Sequence, residues 1–314
     1  MKIAVYTIAL NEEKHVERWY NSVKDADYLL IADTGSTDRT VEIAKSLGIN
    51  VFNISIKPWR FDTARNTALA LLPDDIDMCV SLDMDEVIEE GWREALEQTT
   101  GNQITYVFRN DEDFVNNRIH ARHGFMWKFL MHEGIVPDRT EMIDEFSPGI
   151  EVTHMPDREK PRGQYLNLLK DALAENPTIG RYYKYLTEAL VAEGQFEEAE
   201  KYYLEVLKIP NFGIADSARV YKILSEIIPE KTGEYLLLCL ETAPRRREPY
   251  YYIARWYAQH ERWEECVSWC EAALRVETIT MDVFKDNAAW GEPMQEMYEK
   301  AKLMYNSSEQ RIEQ

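Results

Sequence analysis

The sequence predicts an α/β domain on a mostly parallel sheet, followed by an all-α domain of helical repeats. Three observations carry this prediction. Short apolar runs alternate with amphipathic helical patterns up to about residue 155, as strand–helix–strand units do. The strand signal then stops at a polar stretch with two prolines, "HMPDREKPRGQ". Beyond it, two helical segments resemble each other at a long, regular spacing. At 314 residues the chain is long enough for two cores, and the boundary falls between domains 1–160 and 161–314.

In order along the first domain, strand-like runs occupy 3–8, 28–32, 51–54, 78–82, 103–109 and 125–131. Helical patterns fall between them at 12–23, 38–47 and 61–72. The second of these places Val41, Ala44 and Leu47 on one face and closes at Gly48. Parallel sheets of this kind bind ligands beyond the carboxyl ends of their strands. Asp33 and Asp83 stand at two such ends.

The second domain is repetitive. "EGQFEEAEKYYLEVL" at 193–207 aligns with "HERWEECVSWCEAAL" at 260–274, close to two periods of the 34-residue tetratricopeptide repeat. Leu186, Gly194, Ala199 and Tyr203 fall on that repeat's pattern, and Ile253, Cys266, Cys270 and Ala273 fall on it again. Pro210 and Pro244 mark two repeat ends, and the segment with Trp290 and Pro293 caps the stack. Tyr182, Tyr183, Tyr251, Tyr252 and Trp256 exceed what thin helix pairs need for packing. Some of them are expected to line an acceptor groove or the seam of a homodimer.

Bulk properties narrow the function classes. No apolar stretch approaches the roughly 20 residues needed to span a bilayer, and the N-terminus lacks a cleavable-signal pattern; a cytoplasmic location is expected. The four cysteines read as small core residues rather than as a metal site. With 56 acids against 36 lysines and arginines, the net charge is −20. Phosphate neutralisation dominates nucleic-acid affinity, so the chain is a poor general nucleic-acid binder, with Arg245, Arg246 and Arg247 a local exception.

The chemistry-bearing residues cluster after strands. In "YLLIADTGSTDRT" a buried strand delivers Asp33 to a turn containing Ser36, Thr37 and Asp38. Asp38 is well placed as a helix N-cap. Asp33, held rigidly at a strand tip, is able to accept hydrogen bonds from a base edge or a ribose. In "VSLDMDEV" a second strand ends in Asp83, Met84, Asp85 and Glu86. Paired carboxylates there suit Mg2+ or Mn2+ completed by phosphate oxygens. "WRFDTARNTALALL" supplies the cations Arg60 and Arg65, with Asn66 opening the amphipathic run.

"TIALNEE", "ADTGSTDRT", "FDTARNTAL" and "LDMDE", in this order, resemble the nucleotide-sugar half of a family 2 glycosyltransferase with a GT-A fold. The resemblance covers about the first half of the chain and extends to a subset with a tetratricopeptide tail. It implies a UDP-sugar donor, with Asp33 on the uracil, Asn11, Glu12 and Ser36 bordering that pocket, and Arg65 and Asn66 securing the nucleotide. It implies further that Asp83 faces the ribose or metal and that Asp85 binds Mn2+ or Mg2+. "FMWKFLMHEGI" and "GIEVTHMP" are similar to later strands of the repeat-bearing subset, which puts His154 at the metal or diphosphate. An inverting transfer needs a base; Glu133 is the first choice, with Asp111 or Asp113 the alternative, and Trp127 either stacks on the sugar or packs in the core. The acceptor is expected to be a protein, a peptide or a saccharide.

Two rivals remain. A sugar-phosphate nucleotidyltransferase would need a Gly-rich basic loop after the first strand, where this chain has "ALNEEKH". A non-catalytic repeat scaffold would have no need of acids at both strand tips.

Overall fold

The computed structural model describes residues 1–110, 114–131, 133–156 and 165–312. The chain divides into two compact units, Met1–Ala172 and Leu173–Gln314.

In the first unit the order is β1 (Ile3–Ala9), α1 (Val16–Val23), β2 (Tyr28–Asp33), α2 (Thr40–Ser46), β3 (Asn50–Asn53), α3 (Phe61–Ala70) and β4 (Met78–Ser81). It continues with β5 (Glu86–Ile88), α4 (Trp92–Glu97), β6 (Gln103–Arg109), β7 (Phe114–Ala121), β8 (Phe125–Lys128), β9 (Gly134–Pro137) and β10 (Asp144–His154). Eight strands form one sheet in the order β3-β2-β1-β4-β7-β6-β10-β5, and β8 and β9 form a separate hairpin.

The first half of this sheet follows the parallel expectation, and in the second half β10 also runs parallel to β6. β1 pairs in parallel with β2 and β4, and β2 with β3. β7 then runs antiparallel to both β4 and β6, and β5 antiparallel to β10. The sheet is therefore mixed. Four of the seven pairings are parallel, as anticipated; the unanticipated departure lies at β7, "FVNNRIHA", which carries Asn116, Asn117 and Arg118 at its centre and shows little apolar alternation. The three residues of β5 are too few for a pattern.

Both faces of the parallel half are covered. On one, Trp19, Ala44, Trp92 and Leu96 from α1, α2 and α4 pack on Ile3, Val5, Ile31 and Val80. On the other, Ala68, Leu69 and Leu72 from α3 and its end join Phe125, Trp127 and Ile135 of the hairpin against Ala4, Tyr6 and Leu30. Adjacent β1 residues thus serve opposite layers, as pleating requires.

The second, all-helical part follows α5 (Tyr165–Glu175). Its helices are α6 (Gly180–Ala192), α7 (Phe196–Val206), α8 (Ile214–Ile227), α9 (Thr232–Thr242), α10 (Arg247–Gln259) and α11 (Trp263–Leu274), then α12 (Asn287–Trp290) and α13 (Glu292–Ile312). Successive pairs begin at 180, 214 and 247, one tetratricopeptide period of about 34 residues apart. Met294 and Ala301 of α13 join Cys266, Cys270 and Ala273 of α11 in one core, so the last segment does cap the stack.

The aromatics are mostly turned inward. Tyr182, Tyr183, Tyr251 and Tyr252 are 0–7% exposed and pack between helices, with Tyr183 and Tyr252 also bordering pockets beside the partly exposed Trp256. The arginine run is also consumed. Arg246 bonds Glu248 and Asp282, and Arg247 donates to the Val276 carbonyl while lying 4.0 Å from the Trp290 ring centroid. Two of its three cations therefore tie down the segment before the cap.

Candidate active site

β1, β2 and β4 end side by side. Ala9 pairs with Asp33, and Tyr6 with Ser81 two residues before Asp83. β2 and β3 extend the sheet to one side of β1 and β4 to the other, which opens a crevice at the strand ends. The four residues singled out after these strands, Asn11, Asp33, Asp83 and Asp85, all belong to this edge.

The turn after β2 is laced to the loop after β1. Asp33 is 3% exposed, and its carboxylate accepts the Gly35 and Ser36 backbone N–H groups at 3.1 Å. Gly35, at φ +116°, adopts a conformation that L side chains rarely take. Ser36 Oγ accepts the Asn11 N–H at 2.9 Å, and Asn11 Oδ1 accepts the Thr37 N–H at 2.8 Å. Asp38 accepts from the Glu13 N–H and from both the N–H and the hydroxyl of Thr40, just before α2. Burial opposes ionisation of Asp38, but these hydrogen bonds hold its carboxyl below the usual range. Glu12 follows in the same loop, its N–H bonded to Thr40 Oγ1 at 2.7 Å and its carboxylate 3.9 Å from His15. The expected donor-pocket residues Asn11, Glu12, Asp33 and Ser36 therefore meet in one hydrogen-bonded unit.

Arg65, on α3, is the hub of the second cluster. Its Nε donates to Glu133 at 2.6 Å, and its terminal nitrogens donate to Ser81 Oγ at 3.1 Å and Asp83 Oδ1 at 2.7 Å. The other Asp83 oxygen accepts from Arg118 of β7 at 2.7 Å. Burial alone would raise the Asp83 carboxyl, but the two guanidiniums hold it well below the ordinary range. Glu86 is also buried, accepts the Asp83 N–H at 2.8 Å, and is pushed up to about 7 by burial and by the Asp83 charge. Asp83 is thus clamped by cations, with a quarter of its side chain still exposed.

Asn66 and Trp127 sit behind this hub. The Asn66 amide donates to the Trp127 carbonyl and accepts its N–H, both at 2.8 Å, so it fastens the hairpin to α3. Trp127 is 1% exposed and packs in the core; the alternative of stacking on a sugar does not hold. Its indole N–H donates to Tyr6 Oη at 2.7 Å, and Tyr6 lies 3.0 Å from His120 Nε2.

Asp85, in the turn after β4, meets His154 at the end of β10. Their Oδ2 and Nε2 atoms are 3.3 Å apart, with about a third of each side chain exposed. The Asp85 hydrogen bond raises the His154 pKa. The antiparallel pairing of β5 with β10 makes this meeting, opposing His154 to Glu86. One carboxylate and one imidazole fit a divalent ion that takes its remaining ligands from water and phosphate. No group of three protein donors suited to a metal forms among the described residues.

Asp111 and Asp113 lie outside the described residues. Arg118 and Ser81 are the site residues that sequence reasoning missed. Ser81 is an unremarkable strand residue; Arg118, a lone cation in mid-strand, was the available signal.

Residues 4–141 match the model of the family described as Glycosyl transferase family 2. An uncharacterized glycosyltransferase of Rickettsia typhi is 35% identical over 34% of this chain and 33% of its own length. A TPR repeat-containing protein of Synechococcus elongatus is 28% identical over 66% of this chain and 57% of its own. The lipopolysaccharide core biosynthesis glycosyltransferase LpsC of Rhizobium meliloti is 25% identical over 59% and 76%. The chain covers about a third of the length of the rickettsial relatives it matches.

Proposed function

The chain carries a family 2 glycosyltransferase domain of GT-A type joined to a tetratricopeptide-like helical domain, and from that premise we propose that it transfers a sugar from a UDP-sugar to a hydroxyl acceptor with inversion. The observation that carries this reading is the convergence of Asp33, Asp83 and Asp85 at one sheet edge inside the matched domain. The relative named for lipopolysaccharide core biosynthesis favours a glycan acceptor; a protein or peptide is the other expectation.

In this reading the laced turn of Asp33, Ser36 and Asn11, with Glu12 beside it, forms the wall against the base. Arg65 and Arg118 keep Asp83 ionised and aimed, its exposed quarter facing the ribose, and Asn66 holds the hairpin that seats Arg65. Asp85 and His154 are the residues to hold Mn2+ or Mg2+, which when bound supplies charge neutralisation at the departing diphosphate. Glu133 is the proposed base, its carboxylate oriented by Arg65 Nε. The same contact suits a second role, in which Glu133 only positions Arg65.

Thermal shifts and slow hydrolysis across UDP- and GDP-sugars test the proposal. UDP is expected to raise the melting temperature more with Mn2+ or Mg2+ than with EDTA, and Asp85→Asn to abolish that difference. Equal stabilisation in EDTA removes the metal, and no response to any nucleotide sugar sinks the reading. Glu133→Gln that cuts turnover while sparing UDP affinity supports the base; loss of both supports the positioning role.

A further inference from the structure

Arg118 commits a single guanidinium nitrogen to the protein. Its Nη1 donates to Asp83 Oδ2 at 2.7 Å and, more loosely, to Glu86 Oε1 at 3.4 Å. Its Nε and Nη2 have no hydrogen-bond partner among the described residues, and 22% of the side chain is exposed. Neither nitrogen is sealed from solvent, so the pair is open to an incoming group. In a guanidinium the Nε–H and one Nη2–H point the same way. That edge grips a carboxylate or a phosphate through two parallel hydrogen bonds. Arg65 offers no such edge, because its Nε and both terminal nitrogens are taken by Glu133, Ser81 and Asp83.

β7 flanks β4 on the side away from β1 and β2. Ile119 is the last β7 residue paired with β4, opposite Val80, and Arg118 lies next to it, where β4 runs out toward Asp83. Asp33, at the tip of β2, stands on the other side of β4. In the proposed reading the donor runs from its base at Asp33 to its ribose and diphosphate at Asp83 and Asp85. The side toward β7 is then left to the acceptor. Burial opposes the charge of Arg118, whereas Asp83, Glu86 and also Glu133, the proposed base, favour it. Base and free edge therefore share one small site. We propose that the Nε–Nη2 edge of Arg118 binds an oxyanion, a carboxylate or a phosphate, carried by the acceptor beside the hydroxyl that receives the sugar. The substrate class is then an anionic saccharide rather than a neutral one. This inference rests on the proposed donor reading and adds which acceptors the site selects.

The test is a ligand-observed NMR titration of the full chain with Mg2+, using glucuronic acid, glucose-6-phosphate and glucose as probes, each with and without saturating UDP. A charged sugar is expected to bind about tenfold or more tightly than glucose, as a charge-assisted pair of hydrogen bonds implies, and to keep that preference when UDP is bound. Tighter glucuronic acid assigns a carboxylate, and tighter glucose-6-phosphate a phosphate. Arg118→Lys keeps a cation beside Asp83 but has no second donor edge, so the ratio of charged to neutral affinity should fall by about tenfold. Equal binding of the three sugars by the wild type overturns the inference, whether or not the variant folds. A preference that saturating UDP abolishes also overturns it, since the edge then serves the donor's diphosphate. So does a preference that survives in the folded lysine variant. If UDP itself does not bind, the donor reading fails and this inference with it.

Discussion

Arg65, with its side chain 4% exposed, reaches Ser81, Asp83 and Glu133 from a single guanidinium. Removing one partner of a buried ion pair leaves the others uncompensated, which costs about 3–5 kcal/mol. Arg65→Met should show a loss of that order in urea unfolding and should abolish transfer. Arg65→Lys is expected to rescue stability only partly, because an ammonium cannot reproduce the three-way fork. Wild-type stability in the methionine variant would mean that Arg118 alone satisfies Asp83. A pH effect arises at His120, which is fully buried and, through that burial, depressed to about 4. The unfolded chain protonates this imidazole near 6.5 and the folded chain does not until about 4, so its stability contribution is lost as pH falls across that window. Glu86, raised by burial, runs in the opposite direction. The readout is therefore the difference between wild type and His120→Gln: the variant should lose less melting temperature between pH 6.5 and 4. Parallel profiles would show that His120 is protonated in the folded state.

Among the elements, the helical hairpins repeat down to their backbone angles. Gly194, between α6 and α7, has φ +73°, and Glu261, at the matching place between α10 and α11, has φ +56°. A residue with a Cβ costs roughly 1–2 kcal/mol in this left-handed region, whereas glycine does not. Glu261→Gly, at an exposed position, should stabilise the chain by up to about 1 kcal/mol, seen as a rise in melting temperature; an unchanged or lower value would mean that glycine's unfolded-state entropy outweighs the relieved strain. In the first unit, the register of β5 on β10 decides the candidate metal pair: a one-residue slip would send His154 to the other face and away from Asp85.

For the molecule as a whole, the cap is the feature open to a direct test. Deleting residues 278–314 removes α12, α13 and the Asp282 partner of Arg246, exposing Cys266, Cys270 and Ala273. Lower solubility and a lower melting temperature are expected, since a stacked repeat needs its neighbours; an equally soluble, equally stable truncation would show that α10 and α11 need no cap. What the sequence determined by itself was local: strand-tip acids in "ADTGSTD" and "LDMDE", helix periods in α1, α2 and α3, and a repeat length that returned α6, α8 and α10 one period apart. Each of these is written in adjacent residues through turn chemistry or side-chain period. The tertiary structure alone decided that the sheet turns antiparallel at β7, that Arg118 closes on Asp83, and that His154 arrives beside Asp85 from 69 positions away. It also decided that the tyrosines of the repeats face inward. Those outcomes depend on strand order and on which faces meet, and no local pattern encodes either.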